Sequence, residues 1–249
     1  MALRHDFEKK GILLFKHRGQ LPLVLFAAAI PAIYLSDLQL IKSNKWLEVT
    51  LLITCVLISL LGQIIRALAI GKSAKQTSGR NTWGHEAKSL NTTGIYSMVR
   101  HPLYLGNFFM WMGIVIYTGH PWFILVVILA FWLYYERIMF SEDAFLEREF
   151  GEEFIEWSEK TPAFVPSRRY FTPSMVSFSM KTIFRREYPG ISATVIGFVY
   201  VDFVRDWCFY GSVQWKWMHA VVLFIALLFA YVLKLLKHKT NVLTEEDRS

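Results

Sequence analysis

Two short stretches of this 249-residue chain carry side chains whose types and spacing could do chemistry. The first is Arg100-His101-Pro102-Leu103-Tyr104-Leu105-Gly106. Proline is favoured in the first turn of a helix, where its missing N–H costs nothing. A helix starting at Pro102 would present unsatisfied backbone donors and a partial positive charge at its N-terminus. Arg100 and His101 add to that charge, so the corner suits an anion. Taken alone, the motif is better read as an interfacial anchor at Arg100 and a helix cap at His101. The second stretch, 136–166, is acidic and reads ERIMFSEDAFLEREFGEEFIEWSEKTPAFVP. Its aromatic residues Phe145, Phe150, Phe154 and Trp157 recur at helical spacing among seven acids from Glu142 to Glu156, which predicts an amphipathic helix. Glu142 and Asp143 stand nearest its apolar beginning and could face a cationic ligand; the plainer reading is a solvated acidic face.

The elements that must position these stretches are membrane spans. Hydrophobic residues make up 54% of the chain and charged residues only 19%, against about 25% charged in soluble domains. Windows free of Asp, Glu, Lys and Arg run over 19–36, 49–65, 101–135 and 217–233, and a span needs about 17–25 residues. The window 101–135 is too long for one crossing and is broken by Thr118-Gly119-His120-Pro121, which predicts a tight hairpin of two. A shorter window, 188–201, becomes a span if Asp202 lies near the far interface. The expectation is an all-α polytopic integral membrane protein of about six transmembrane helices, with a cytoplasmic amphipathic helix after the fourth. The basic N-terminus followed by an apolar run imitates a signal peptide, but Pro22 and Pro31 interrupt the run and no small-residue cleavage pattern follows, so it reads as an uncleaved first span.

This arrangement places 23 of the 27 Lys and Arg on one face. By the positive-inside rule that face is cytoplasmic, with both termini there. The net charge of +7 is then explained by topology and contact with membrane lipids, and nucleic acid is not an expected partner. The same topology brings 71–99, including Gly79-Arg80-Asn81-Thr82-Trp83-Gly84, to the face that carries the Arg100 and Glu142 stretches. Cys55 and Cys208 have neither disulfide-framework nor zinc spacing and read as packing residues; no metal is expected.

Together these segments resemble the isoprenylcysteine carboxyl methyltransferase family and the related phospholipid methyltransferases. The resemblance runs through Leu90, Thr92, Gly94, Tyr96, Arg100-His101-Pro102, Tyr104 and Gly106, and resumes at Glu142-Asp143, Leu146, Phe150-Gly151, Phe154, Trp157 and Pro162. It divides the chain into 1–45, an N-terminal segment with the first span; 46–166, a methyltransferase-like membrane core; and 167–249, a C-terminal extension with one or two further spans. It implies S-adenosylmethionine bound at the cytoplasmic face and a lipid or lipidated substrate entering from the bilayer. Carried over, Tyr96, His101, Pro102, Leu103, Tyr104, Gly106, Glu142 and Asp143 would hold the cofactor. Arg100 would orient an anionic acceptor, and Arg100 and Glu142 would be the catalytic pair. Two positions depart from the family pattern: the second acid is Asp143 where glutamate is usual, and Arg137 lies five rather than four residues before Glu142.

The residues suit that chemistry. Methyl transfer is an in-line displacement at a sulfonium carbon, helped mainly by alignment. Carboxylates and aromatic faces can hold the cation, and Glu142, Tyr104 and Trp157 supply them. No GxGxxG occurs, so a soluble nucleotide-fold methyltransferase is not expected. Two alternatives compete. NADPH-dependent membrane reductases of the steroid-reductase-like group share an RHPxYxG-like turn, but Leu103 and Asn107 stand where that group commonly has Asn and an acid. A non-enzymatic transport or assembly protein would want ionisable residues at mid-membrane depth, where Asp202 is the only acidic candidate. The acceptor stays open among a carboxylate, an amine, a phosphate and another lipid headgroup.

Overall fold

The computed structural model describes residues 3–73 and 87–245. The 79–84 stretch lies outside the described residues. Among those described, every regular element is helical. The helices are α1 (Leu3–His17), α2 (Leu21–Tyr34), α3 (Leu38–Lys42), α4 (Lys45–Gly71), α5 (Pro102–Tyr117), α6 (Pro121–Phe150), α7 (Glu152–Lys160), α8 (Met180–Tyr210) and α9 (Trp217–Lys239). A short 3-10 turn, Gly94–Ser97, precedes α5.

The windows 49–65, 188–201 and 217–233 lie within α4, α8 and α9, 101–135 falls within the α5–α6 hairpin, and 19–36 overruns α2 by two residues at each end. The number of crossings is smaller than the expected six when judged by length and apolarity. Among the described residues three helices qualify, α4, α6 and α9, and α1 with α2 makes a fourth if that bent pair is one crossing. The shortfall has two physical causes. α5 has 16 residues, about 24 Å at 1.5 Å per residue, short of a ~30 Å hydrocarbon core. α8 is long enough at 31 residues, but Lys181, Arg185, Arg186 and Glu187 at one end and Asp202, Arg205 and Asp206 at the other leave only its middle apolar.

The break between α5 and α6 forms where the sequence places it. Gly119 takes a left-handed φ of 79°, which glycine adopts without steric cost. His120 caps α6, accepting from the Phe123 N–H at 3.1 Å, and Pro121 opens the helix. The acidic stretch differs from the single amphipathic helix expected. α6 runs unbroken for 30 residues, about 45 Å, and so carries Glu142 and Asp143 on a membrane helix that continues past the bilayer. Gly151, at φ 54°, then turns the chain into the separate helix α7.

The packing that matters for the site is the antiparallel pair α4–α5. Small residues face each other along it: Cys55, Ser59 and Gly62 on α4 against Gly106 and Gly113 on α5. A Cβ on Gly106 would lie 2.8 Å from the Gly62 carbonyl and closer still to the Arg66 side chain. Such close backbone approach is how membrane helices gain contact without a hydrophobic driving force between them. Ser59 Oγ seals the pair by donating to the Met110 carbonyl at 2.8 Å. Cys55 is buried in an apolar cluster with Ile33, Tyr117, Val201 and Val204, and Cys208 packs against it.

The helices leave polar residues at two poles. One gathers Arg66, His101, Glu142 and Glu187. The other gathers Lys42, Glu48, Asp202, Asp206, Lys216 and His219. At the second pole Asp202, Asp206 and His219 present ligand atoms within 4.8 Å of one another. Two ammonium groups already occupy the positions a cation would take: Lys42 reaches Asp206 at 2.7 Å, and Lys216 reaches Asp202 at 2.9 Å and Asp206 at 2.6 Å. Lys42 and Lys216 thus bridge Glu48, Asp202 and Asp206 into an ionic tie joining α3, α4, α8 and α9, while the fully buried Arg205 lays its guanidinium 4.3 Å over the Tyr117 ring.

Candidate active site

At the first pole, α5 begins as the sequence predicts, with His101 at the N-cap and Pro102 in the first turn. Most of its backbone donors are already engaged. The chain after α7 returns alongside 94–101: Arg100 N–H donates to the Pro162 carbonyl at 2.9 Å, His101 N–H to Ala163 at 3.2 Å, and Ser167 N–H to Met98 at 2.9 Å. Tyr104 N–H bonds back to the His101 carbonyl. The corner therefore works through its side chains.

Those side chains meet the acids of α6. His101 Nε2 lies 2.9 Å from Asp143 Oδ1, and its Nδ1 lies 3.5 Å from Glu142 Oε2. Tyr104 donates its hydroxyl to Glu142 Oε2 at 2.8 Å and stacks on the His101 ring, centroids 5.5 Å apart. Burial of the imidazole opposes its charge, but the Asp143 carboxylate and then Glu142 outweigh burial and push it up to about 9. His101 is thus a buried imidazolium held between two carboxylates. Arg100 donates to Asp143 Oδ2 at 2.8 Å and to the carbonyls of Ser158 and Thr161 at 3.0 and 3.3 Å. It ties α6 to the end of α7. Trp157 Nε1 donates to the Tyr96 carbonyl at 3.1 Å, which fixes α7 against the 3-10 turn.

These groups surround one cavity. Of the nine site residues expected from the sequence, seven line it: Tyr96, Arg100, His101, Pro102, Leu103, Tyr104 and Glu142. Two lie behind the wall. Asp143 faces His101 and Arg100, and Gly106 lies in the α4–α5 crossing. Trp157, Phe145 and Leu146 complete the acidic side.

The sequence reading missed a second set of residues on the same cavity: Arg18, Arg66, Asn107 and Arg186. Arg66 forms a two-pronged ion pair with Glu187, Nε–Oε2 2.6 Å and Nη2–Oε1 2.7 Å, and its Nη1 donates to Asn107 Oδ1 at 2.7 Å. Asn107 donates in turn to the Tyr135 hydroxyl at 3.1 Å. An arginine closing an apolar helix looks like an interfacial anchor, and nothing local marks Glu187 as its partner.

A second, apolar chamber lies beside the first, between α2, α5, α6 and α8. Leu25, Phe26, Met110, Ile114, Phe123 and Ala193 are among its walls. The two cavities share Arg18, Arg66 and Asn107, so they meet at a polar neck.

The geometry joins an acid pair, a charged histidine and an apolar chamber around one motif-bearing helix pair. Residues 49–153 match the phospholipid methyltransferase family. The match takes in α5, the acid pair of α6, Arg66 and Asn107, and leaves out Arg18, Trp157 and all of α8. Among similar curated proteins, the nickel-cobalt-cadmium resistance protein NccN of Alcaligenes xylosoxydans xylosoxydans is 41% identical over 88 residues, 35% of this chain and 41% of that one. The protein-S-isoprenylcysteine O-methyltransferase of Xenopus laevis is 30% identical over 133 residues, 51% of this chain and 43% of that one. The enzyme of the same name from Saccharomyces cerevisiae is 27% identical over 137 residues, 52% and 54%. The chain thus spans about half or less of the curated relatives it matches. No solved structure gives a significant match.

Proposed function

We propose that this protein is an integral-membrane methyltransferase that takes its methyl group from S-adenosylmethionine and passes it to a lipid or lipidated acceptor. The observation that carries this reading is the pair of joined cavities, one lined by charged residues and walled largely by the family-matching segment, the other apolar and suited to a lipid chain. The polar cavity offers charges of both signs, as a zwitterionic sulfonium donor requires. Glu142, Tyr104 and Trp157 suit its cationic end, and the His101 imidazolium suits its carboxylate. Bound there, the donor supplies a methyl group on positively charged sulfur.

The chain's own residues then align and shield. Glu142 is the acid that touches the donor. Tyr104 orients Glu142 by its hydrogen bond. Asp143 acts through His101 and Arg100, which it holds in place. Tyr96, Pro102 and Leu103 shape the wall, and Gly106 lets α4 approach closely enough to bring Arg66 to the neck. Arg100, tied to Asp143 and two carbonyls, is a positioning residue that holds the acidic wall. The surplus of Lys and Arg on this face favours a cytoplasmic donor site with both termini on the same side.

Calorimetry on the full chain in detergent tests the reading. S-adenosylmethionine should bind saturably and NADPH should not. No heat with the former, or binding of NADPH alone, would overturn it.

A further inference from the structure

Between α7 and α8 the chain runs from 163 to 179 without a helix, and both ends of this strap are pinned where the apolar spans end. At one end Phe164 packs edge-on against Trp132, ring centroids 5.7 Å apart, and joins the aromatic cluster of Phe108 and Phe131. Trp132 stands four residues before Glu136, the first charged residue of α6, and so about 6 Å within the apolar zone. At the other end Ser179 N–H donates at 2.9 Å to the carbonyl of Gly71, the last residue of α4. A Cβ on Gly71 would lie 2.7 Å from the Phe178 ring. Between these anchors Ser167 N–H donates to the Met98 carbonyl at 2.9 Å, and the Thr172 carbonyl accepts from Gly94 N–H at 2.8 Å. The strap therefore runs along the boundary of the bilayer instead of looping out into water.

Its outward side chains match that position. Val165, Tyr170, Phe171, Met175 and Phe178 are exposed, Val165 by 74% and Met175 by 95%. Arg168, Arg169 and Lys181 are exposed among them, and the Arg169 guanidinium lies 5.3 Å over the Tyr170 ring. No Asp or Glu occurs from 160 to 186. α7, immediately before, is the opposite: it exposes Glu152, Glu153, Glu156 and Glu159. A segment facing water gains nothing from a row of bare apolar side chains. Apolar and aromatic residues interspersed with basic ones, without acids, are what lies stably in a headgroup layer.

We propose that the strap is a docking surface for anionic phospholipids in the leaflet on the donor-cavity side. Its apolar side chains dip among the acyl chains, and Arg168, Arg169 and Lys181 meet the headgroups. The bound lipid is neither donor nor acceptor, because these three residues line neither cavity of the site. Each basic side chain near an anionic surface favours it about fivefold, and a zwitterionic headgroup offers no net charge to match. The Pro162 and Ala163 carbonyls, at the root of the strap, accept the Arg100 and His101 N–H, so the contact also braces the start of α5.

The test uses the full chain carrying Met175→Cys and Cys208→Ala, labelled at position 175 with an environment-sensitive fluorophore and reconstituted in phosphatidylcholine vesicles. Equal small fractions of acyl-chain spin-labelled phosphatidylglycerol or phosphatidylcholine are added as quenchers. Both should quench, the anionic lipid at least about twofold more strongly, and about 0.5 M NaCl should bring the two close to parity. Arg168→Gln with Arg169→Gln should weaken the preference at low salt while the melting temperature stays within about 2 °C of the parent. A fluorophore quenched by neither lipid would place the strap in water or against protein and overturn the proposal. So would equal quenching by both lipids at low salt, or a preference that survives high salt in the parent, which decides the matter even where the double variant fails to fold.

Discussion

The charged His101 makes a quantitative prediction. Its imidazole is pushed up from an ordinary 6.5 to about 9, chiefly by Asp143 against the cost of burial. A folded-state value above the unfolded one means that the native protein binds the extra proton. The resulting stabilisation is complete below pH 6.5 and is lost as pH rises through about 9. At about 1.4 kcal/mol per unit, the shift is worth about 3 kcal/mol at most. The His101 side chain is 3% exposed, so solvent screens little of it. Asp143→Asn removes the nearer carboxylate and leaves burial acting alone against Glu142. The imidazole should fall back toward or below 6.5, and the variant should lose up to about 3 kcal/mol at pH 6. A further loss comes from the broken Arg100 pair and adds a constant offset across this range. The assay is thermal unfolding in detergent from pH 6 to pH 10 for both proteins. Their difference should be largest at the acid end and shrink to the Arg100 offset near pH 10. A difference that stays flat across the range would refute the assignment of the His101 charge to Asp143.

Glu142 lines the cavity whereas Asp143 lies behind it, so Glu142→Gln should weaken S-adenosylmethionine binding about tenfold or more and lower turnover further than Asp143→Asn; calorimetry and initial rates check both. Gly106→Val should cost about 2 kcal/mol or more in unfolding experiments, because the added carbons meet Arg66 and the Gly62 carbonyl. Glu187→Gln should cost about 3–5 kcal/mol by leaving Arg66 charged and unpaired, and Arg66→Met combined with Glu187→Met should recover much of that loss in the same unfolding assay.

What could be read in the sequence, and what could not, follows from the range of the forces involved. Hydropathy is local, so the windows 49–65 and 217–233 fall inside α4 and α9, and the α5–α6 turn falls where a left-handed glycine and a helix-opening proline stand side by side. The spacing of the RHPxYxG and acid-pair stretches was enough to bring seven expected residues to one cavity. It did not reveal which face of a helix each presents. Glu142 and Asp143 are adjacent, yet only the first reaches the cavity, because consecutive helical positions point about 100° apart. Gly106 stood inside the motif and reads as part of the pocket until Gly62 is seen opposite it. The end of α6 was misjudged for a similar reason: aromatic periodicity continues smoothly through Phe150 and Phe154, and only the backbone angle of Gly151 separates two helices.

Arg66 and Glu187 stand 121 positions apart, and no periodicity connects them. Charge balance does offer a signal that was there to be used. Glu187 is the sole acid in the basic run from Lys181 to the window 188–201, and its side chain is 1% exposed. An acid at the mouth of an apolar segment, facing inward, requires a cation to neutralise it. Among the basic residues closing the other apolar windows, Arg66 is one that follows its window directly.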